Sequence, residues 1–367
     1  MEKHVCYFAN ANSIHTQRWV NYFAMRGWKV DLITWRPVAK SKLHPKVRLH
    51  RLFFPPHYVA RFLALIEIMR LTRKTRPSII HAHYINVFGV LAGLYARLTG
   101  FKPIVLSAWG PLKLRRSKGL QRLLVKYALR KADMILVHSK VLERTVVALG
   151  ASPEKVRIFS WGVDLDEFNP RRSSTKTKKE LGLSNCPVVI SIRSFEPIYN
   201  VECLINAIPL VLEQVPNAKF IIAGRGSLEH NLKQLAKSLG IEDSVRFTGY
   251  VPHEKIPLYL CASDVYVSTS LADGGSASLF EAMACGLPVV VTDIPANVEY
   301  VRDSWNGYII PQRNSRVLAE RITDMLRNSE KKKRFGKQNY KFAREMLNQK
   351  KSMEKIGKLY ESLMKKD

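Results

Sequence analysis

One short segment of this 367-residue sequence combines acidic, hydroxyl and glycine residues in an order that suits phosphate binding. The pattern predicts a strand over residues 264–268, then a polar loop, then a helix that begins near Ser276. The loop contains Asp273 and two glycines, Gly274 and Gly275, which let the backbone approach a ligand closely because they lack a Cβ. Free backbone N–H groups at a helix start, aided by the helix dipole, favour a diphosphate.

Two carboxylates in the same segment could bind hydroxyl groups. Glu281 lies about one turn inside the predicted helix, where its carboxylate can accept two hydrogen bonds from a ribose diol. Asp273, in the loop, could contact sugar hydroxyls instead. An ordinary capped helix that ends at residues 286–288 explains the same residue types, and these types alone leave both interpretations open.

The elements that would position this segment alternate between strand and helix, in two series. In the first series, strands are predicted at 3–9, 30–34, 78–81, 103–107 and 134–137, with helices through Trp19 to Met25 and at 58–75, 86–99 and 117–131. In the second series, strands are predicted at 188–193, 219–223, 245–247, 264–268 and 287–292, with helices at 200–215, 228–239, 254–261 and 277–285. Such alternation indicates parallel sheets with helices on both faces.

A polar and charged stretch, residues 169–180, separates the two series and is the best candidate for a linker. We expect a first domain over residues 1–168 and a second over 169–349, with a C-terminal helix at about 350–367 that packs back on the first. The predicted class is α/β, with two doubly wound Rossmann-like domains. Two such domains that face each other place a ligand cleft between the C-terminal edges of their sheets.

The charge of the chain is strongly positive. Lys and Arg number 59 against 30 Asp and Glu, a net charge of +29, so anionic partners are expected. Nucleic acid, an anionic membrane face and phosphorylated small molecules are the candidates. Two stretches, 62–76 and 113–126, combine Lys and Arg with apolar residues at helical spacing, which favours an anionic membrane surface over a merely solvated helix face.

Targeting and metal-binding patterns are weak. No apolar run is long and uncharged enough to span a bilayer, and the start has no signal-peptide layout, so we expect a cytoplasmic protein that can lie peripherally on the inner face of the membrane. Five dispersed cysteines indicate reduced thiols rather than a disulfide framework or a zinc site. His81 and His83 alternate as two metal ligands would, but no third ligand is suggested, so cleft-lining or core histidines are favoured and no metal is expected.

The segment from Asp273 to Glu281 resembles the E-x7-E signature of family 4 of the retaining glycosyltransferases, also called glycosyl transferases group 1. The run Glu-Ala-Met-Ala-Cys-Gly-Leu-Pro-Val-Val from Glu281 onward is among the most specific local patterns of that family. Further segments resemble the family along nearly the whole chain: 161–164 with Phe168, 221–226, 246–250 and 306–308. Segments 13–19, 26–27, 80–83 and 107–110 resemble a polysaccharide-related branch of it.

The resemblance implies a GT-B fold and a retaining glycosyltransferase of the hexosyltransferase class. The donor would be a nucleotide-diphospho-sugar, with a UDP-sugar preferred over a GDP-sugar and no cofactor required. The acceptor would be a glycan or a lipid-linked acceptor in cell-surface polysaccharide or glycolipid synthesis, and nucleic acid is not an expected partner. In retaining members of this fold a front-face route is favoured, in which the leaving phosphate helps to take the acceptor proton.

The resemblance also implies roles for individual residues. Glu281 would bind the ribose, Asp273 the donor sugar, and Arg193 the diphosphate; these three are the catalytic candidates. The other donor-binding candidates are Gly224, Gly226, Gly274, Gly275, Ser276, Ala277 and Ser278, with the amides of the last three on the diphosphate. The candidates on the acceptor side are His15, His81, His83 and Trp109.

The chain departs from the family at three positions. Ile198 stands where the family usually has a second phosphate-binding cation, a lysine, and Asp273 stands where it usually has Glu. Trp109 occupies the region of a frequent histidine. Two alternatives therefore accompany the transferase: a sugar-nucleotide epimerase on the same scaffold, which would form product without an acceptor, and a non-catalytic module that binds polyanions or anionic membranes.

Overall fold

Parallel strands joined by helices build both halves of the chain, as the alternation of strands and helices predicts. The computed structural model describes residues 2–35, 42–55, 60–109, 118–160, 162–172 and 175–365. It consists of two units: Met1–Phe159 with Lys351–Asp367, and Ser160–Lys350. Each unit contains its own parallel sheet, which confirms the predicted α/β class with two Rossmann-like domains.

The described strands of the first unit form a seven-stranded sheet in the order β3-β2-β1-β4-β5-β6-β7. These strands are β1 (His4–Phe8), β2 (Lys29–Thr34), β3 (Val47–Arg51), β4 (Ile79–His83), β5 (Ile104–Ser107), β6 (Met134–Val137) and β7 (Val156–Ile158). The helices are α1 (Ile14–Met25), α2 (Ala60–Thr75), α3 (Val90–Thr99), α4 (Gly119–Lys131) and α5 (Lys140–Ala148). A π-helical turn, Tyr84–Gly89, precedes α3.

Helices cover both faces of this sheet. Successive side chains of a strand point to opposite faces, so Phe8 of β1 joins an apolar cluster with residues of α2 and α3, while Tyr7 joins another with Trp19 of α1. Tyr360 of the C-terminal helix (Gln349–Met364) belongs to the Tyr7 cluster. Every residue of β1 and β4 is buried, as expected for strands covered on both faces.

Three elements of the first unit have no counterpart in the sequence-based prediction: β3, β7 and α5. The residues of β3, Val-Arg-Leu-His-Arg, are partly exposed at the edge of the sheet, so the strand lacks the continuous apolar run of its neighbours. β7 has three residues, of which two are exposed. Of the predicted helix at 58–75, residues 60–75 form α2, and residues 58 and 59 lie outside the described residues.

The described strands of the second unit form a six-stranded sheet in the order β10-β9-β8-β11-β12-β13. These are β8 (Val188–Ile192), β9 (Lys219–Ala223), β10 (Val245–Gly249), β11 (Val265–Ser268), β12 (Val289–Thr292) and β13 (Gly307–Ile310). The helices are α6 (Thr175–Glu180), α7 (Val201–Gln214), α8 (Glu229–Ser238), α9 (Ile256–Cys261), α10 (Ala277–Ala284), α11 (Pro295–Val298), α12 (Ser315–Arg327) and α13 (Ser329–Met346). The sequence-based prediction missed β13, which follows the turn at Asn306.

The segment before residue 169 differs from the predicted domain organisation. Residues 160–168, assigned from the sequence to the first domain, belong to the second unit. Val163 donates its amide to the carbonyl of Leu347 at 2.6 Å, and Phe168 is fully buried in an apolar cluster of that unit. Trp161, which was matched to the family pattern, lies outside the described residues.

The polar stretch 169–180 is not wholly a linker. Its residues 175–180 form α6, in which Thr177 is buried, while residues 173 and 174 lie outside the described residues. The chain from Lys351 onward belongs to the first unit. No helix in the described part of the chain is both long enough and apolar enough to cross a bilayer.

The strand order of the second sheet brings two distant loops to one edge. β8 lies between β9 and β11, so the chain leaves β8 towards β9 on one side and returns at β11 on the other. Ligands of doubly wound sheets bind outside the carboxyl ends of the strands at such a switch point. Arg193, which follows β8, and the loop 269–276, which follows β11, emerge at this edge.

Candidate functional site

Arg193 and the loop after β11 form one hydrogen-bonded network, although 80 positions separate Arg193 from Asp273. Nη2 of Arg193 donates to Oδ2 of Asp273 at 2.5 Å. Its Nη1 donates to the hydroxyl of Ser276 at 2.6 Å and more weakly to that of Ser278 at 3.3 Å. Three of the residues predicted from the loop and its helix therefore gather around the single arginine predicted from β8.

Arg193 is enclosed, with its side chain 8% exposed. Burial by itself lowers the pKa of this guanidinium, but the carboxylate of Asp273 outweighs it and raises the pKa above its usual value, so the group stays charged. The guanidinium carbon lies 4.2 Å from the ring centre of Tyr199. The Nε atom has no hydrogen-bond partner in the part of the chain that the structure describes.

Asp273 folds back on its own loop. Its Oδ1 accepts the amide of Gly274 at 2.7 Å and that of Gly275 at 3.3 Å, while Oδ2 receives Arg193. Both carboxylate oxygens and both glycine amides are thus engaged within the protein. A ligand that binds these groups would have to displace the contacts that Asp273 makes.

The helix α10 begins directly after Ser276, close to the predicted start, and Ser276 is its N-cap. The hydroxyl of Ser276 accepts the amide of Leu279 at 3.3 Å. The amides of Ala277 and Ser278, in the first turn, have no carbonyl four residues earlier in the helix to bind. Tyr266 of β11 holds the hydroxyl of Ser278 at 2.8 Å. In the described part of the chain, the helix start thus presents first-turn amides that lack an intrahelical acceptor, beside a buried guanidinium, and this arrangement can bind an anion.

Glu281 lies three positions after Ser278, slightly less than one helical turn, so both side chains are on the same side of α10. Its side chain is 8% exposed, and its Oε1 lies 2.9 Å from Nε2 of His253. His253 begins a short turn after β10, and its ring lies 5.3 Å from that of Phe168. A carboxylate and an imidazole thus form a second polar group at this site.

Sequence reasoning missed three of these contacts: Tyr199 under the guanidinium, Tyr266 on Ser278, and His253 on Glu281. Tyr266 lies in the apolar strand β11, where the sequence pattern predicts only a core residue. His253 lies 28 positions from Glu281, and no local pattern relates the two. The signal that could have found His253 is its place directly after β10, whose carboxyl end faces the same edge of the sheet.

The two predicted glycines after β9 are required by close backbone packing. A Cβ on Gly224 would lie 2.1 Å from the carbonyl oxygen of Arg193, and one on Gly226 would lie 2.5 Å from the backbone of Phe195. Any side chain at either position would push the turn away from the segment that carries Arg193. Both glycines therefore help to position that arginine.

The acceptor-side candidates lie at the carboxyl edge of the first sheet, where an aromatic cluster follows β4 and β5. Trp109 contacts His15 and His83, with ring centres 4.8 and 5.1 Å apart, and stacks on Tyr84 at 5.8 Å. His83 is buried; its Nδ1 lies 3.3 Å from the hydroxyl of Thr16. Gly110, the next residue of the matched pattern, lies outside the described residues.

His81 belongs to a different environment from His15 and Trp109. It is fully buried, and both of its ring nitrogens are engaged: Nδ1 lies 2.5 Å from the hydroxyl of Tyr360 and Nε2 lies 2.7 Å from that of Ser107. The contact with Tyr360 joins the C-terminal helix to the first sheet. His81 is thus a satisfied core histidine in this structure, one of the two alternatives that its sequence context left open.

Burial lowers the pKa of both histidines of β4, and that of His83 falls to about 3. The unfolded chain binds a proton at His83 near pH 6.5 and the folded protein does not, so stability falls as the pH drops from about 6.5 towards 3. We expect His83→Leu to reduce the loss of unfolding free energy between pH 7.5 and 5.5 by about 1 kcal/mol, seen as a smaller fall in Tm. His230→Leu replaces an exposed histidine and is the matched control; if both variants change the pH dependence of Tm equally, the prediction is contradicted.

The remaining metal and thiol candidates take no part in this site. Among the described residues, no group of three or more His, Cys, Asp or Glu side chains comes together in a way that could hold a metal ion. None of the five cysteines forms a disulfide; three are buried and two, Cys186 and Cys261, are half-buried.

Family models match both halves of the chain. Residues 173–342 match the model described as glycosyl transferases group 1, and residues 4–139 match the model described as glycosyl transferase 4-like. The first match contains Arg193, Asp273, His253 and Glu281. The second contains His15, His83 and Trp109.

Two curated relatives are enzymes of this kind. The chain is 24% identical over 352 residues to N-acetyl-alpha-D-glucosaminyl L-malate synthase of Bacillus anthracis, an alignment that covers 93% of this chain and 90% of that protein. It is 28% identical over 257 residues to the UDP-Gal:alpha-D-GlcNAc-diphosphoundecaprenol alpha-1,3-galactosyltransferase of Escherichia coli. That alignment covers 67% of this chain and 66% of the enzyme, slightly less than two thirds of its length.

The fold matches a solved structure over its whole length. HepE of Anabaena, solved in complex with UDP-glucose, aligns with a TM-score of 0.84 at 19% identity, covering 98% of this chain and 99% of that one. The two parallel sheets and these matches define a glycosyltransferase with the GT-B architecture. The chain belongs to the glycosyl transferases group 1, the family 4 type. The resemblance read from the sequence is thereby confirmed.

Proposed function

We propose that this protein is a retaining glycosyltransferase that transfers a sugar from a nucleotide-diphospho-sugar to a glycan or lipid-linked acceptor. The observation that carries the proposal is the network of Arg193, Asp273 and Ser276 beside Glu281 on α10. A buried cation and free helix-start amides suit a diphosphate, and a carboxylate on the next turn suits a ribose.

In this proposal Arg193 and the amides of Ser276, Ala277 and Ser278 bind the diphosphate. The positive charge of Arg193 and the partial positive charges of the amides stabilise the diphosphate as its bond to the anomeric carbon breaks. Catalysis then depends mainly on positioning and electrostatic stabilisation. Asp273 would release Arg193 when the diphosphate enters and turn to the hydroxyls of the donor sugar. No lysine stands at position 198, so Arg193 carries most of the phosphate charge.

A UDP-sugar is the donor that we favour. HepE was solved with UDP-glucose, and the relative from Escherichia coli is named for UDP-Gal. The proposal involves no metal or cofactor, since arginine and backbone amides supply the positive charge. The name of the relative from Escherichia coli also supports a lipid-linked acceptor, since it contains a diphosphoundecaprenol group.

A screen of UDP-, GDP- and ADP-sugars by calorimetry or thermal shift tests the proposal and identifies the donor. We expect saturable binding of one nucleotide class, and turnover that requires an added acceptor with retention at the anomeric carbon. Product formed from the donor alone would favour the epimerase alternative. If no nucleotide-sugar binds while polyanions bind with a steep dependence on salt, the proposal is wrong and the non-catalytic module takes its place.

For the acceptor side we propose a peripheral position on an anionic membrane at the cytoplasmic face. The first turns of α2 and α4 are joined by a hydrogen bond of 3.0 Å from Arg61 to Gln121. Near this contact, Phe62, Leu120 and Leu123 are exposed by 67, 71 and 63%.

Lys118 and Arg122 are also exposed, and residues 113–117 of the predicted basic stretch lie outside the described residues. Exposed apolar side chains flanked by cations suit anionic lipid.

We expect Leu120→Glu/Leu123→Glu to weaken binding to vesicles that contain phosphatidylglycerol by about 10-fold or more, because two apolar side chains are lost and two negative charges are gained. Cosedimentation measures this binding. The matched control is Leu239→Glu/Val298→Glu, which changes two exposed apolar residues of the second unit and should bind like the unaltered protein. Equal binding to pure phosphatidylcholine vesicles would contradict the role of charge.

A further inference from the structure

His253 contacts Glu281, and its imidazole also packs on a residue of the protein core. Nε2 of His253 lies 2.9 Å from Oε1 of Glu281, within hydrogen-bond distance. On its other side the imidazole packs on Phe168, with ring centres 5.3 Å apart and planes inclined at 57°. Phe168 is fully buried, so the imidazole rests against a rigid surface.

The surroundings restrict the carboxylate as well. The side chain of Glu281 is 8% exposed, and its helix position is set by α10, whose residues from Ser278 to Ala284 are all buried. His253 is 29% exposed and lies at the start of a short turn after Pro252. His253 is therefore partly accessible to solvent, while the carboxylate of Glu281 that it contacts is nearly enclosed.

A hydrogen bond to one oxygen of a carboxylate fixes the rotation of the whole group. With Oε1 engaged by an imidazole N–H, the second oxygen has a defined direction, and a diol that pairs with the carboxylate does so without first ordering it.

We propose that His253 is a positioning residue that orients Glu281 for the ribose diol and so makes the donor site selective for ribonucleotides over 2′-deoxyribonucleotides. This inference rests on the proposed function, in which Glu281 binds the ribose. His253 acts through Glu281 and takes no part in the transfer itself. Its effect thus belongs to nucleotide affinity and KM rather than to kcat.

The test compares UDP with 2′-deoxy-UDP, and the GDP and ADP pairs in the same way, by calorimetry on the full chain. We expect the unaltered protein to prefer the ribonucleotide by about 10-fold or more, as loss of a hydrogen bond to a charged group predicts. His253→Phe keeps a ring on Phe168 but removes the donor, and it should lower the preference to about 2-fold with kcat changed by less than about 3-fold. His253→Gln, which retains an N–H donor, should keep most of the preference.

Further variants separate this inference from the proposed function. His253→Ala repeats the loss of the donor if the phenylalanine variant does not fold, and Glu281→Gln should lower the preference by itself. If Glu281→Gln lowers it while His253→Phe and His253→Ala both retain it, the inference about His253 is wrong and the donor site stands. If the unaltered protein binds none of the nucleoside diphosphates, both the inference and the proposed function are overturned.

Discussion

Replacing Arg193 by alanine is expected to lower kcat by about 1,000-fold, the cost of removing one preorganised donor to a developing anion. Arg193 is the buried cation of the site, its Nη1 lies 2.6 Å from the helix-cap serine, and isoleucine stands where the family usually has a second cation. With isoleucine at position 198, the cation that the family usually has there cannot take over its role. Steady-state kinetics with the donor identified by the nucleotide-sugar screen measure the effect, together with the affinity for the free nucleoside diphosphate.

The control for Arg193 concerns stability. Arg193→Ala also leaves the carboxylate of Asp273, 17% exposed, without its cation, so Tm should fall as well. Arg193→Ala/Asp273→Asn removes the unpaired charge and should restore Tm without restoring turnover. Arg193→Lys keeps the charge but loses the two-pronged contact with Asp273 and Ser276. Its kcat should therefore lie between those of the unaltered protein and Arg193→Ala. Recovery of turnover in the double variant would mean that the arginine serves folding alone.

Glu281→Gln is expected to weaken binding of the donor nucleotide by about 100-fold, because a neutral amide accepts weaker hydrogen bonds than a carboxylate and its NH2 group faces hydroxyls as a donor. KM for the donor should rise, while kcat at saturation changes less. Calorimetry with the nucleoside diphosphate and initial rates over a range of donor concentrations separate the two.

Two comparisons sharpen the test of Glu281. Glu330→Gln, an exposed acidic residue in the first turn of α13, is the matched control for loss of one negative charge from a helix, and it should not change donor affinity. The affinity for a ribose-free ligand, inorganic pyrophosphate, should be nearly the same in Glu281→Gln and in the unaltered protein. Unchanged nucleotide affinity in Glu281→Gln would remove the ribose-binding role from this residue.

The fold followed from the sequence wherever apolar periodicity is strong. Strands buried on both faces, such as β4 and β8, appear as continuous apolar runs, and the helices between them repeat at helical spacing. Two of the failures lie where burial is partial: β3 lies exposed at the edge of its sheet, and α6 is a highly charged helix inside the expected linker. Hydrophobic pattern carries little information about such elements, because only part of each faces a core.

The candidate donor residues followed from local pattern. A polar loop between an apolar strand and a capped helix marks the segment from Asp273 to Glu281, and family resemblance added Arg193 and the turn at Gly224. Residue types and spacing left a capped helix and a diphosphate site both possible, and the family resemblance favoured a nucleotide-diphospho-sugar as the expected ligand. The family matches confirm the class of protein that this pattern indicates.

The pairing of these side chains depended on the tertiary structure. Arg193 meets Asp273 because β8 and β11 are neighbours in a sheet whose order differs from the order of the chain, and hydrophobic pattern does not specify that order. His253 reaches Glu281 for the same reason, through the loop after β10. Residue types along the chain thus indicated which ligands the site could bind, while strand order and side-chain packing decided which charges neutralise each other and which imidazole contacts the carboxylate of Glu281.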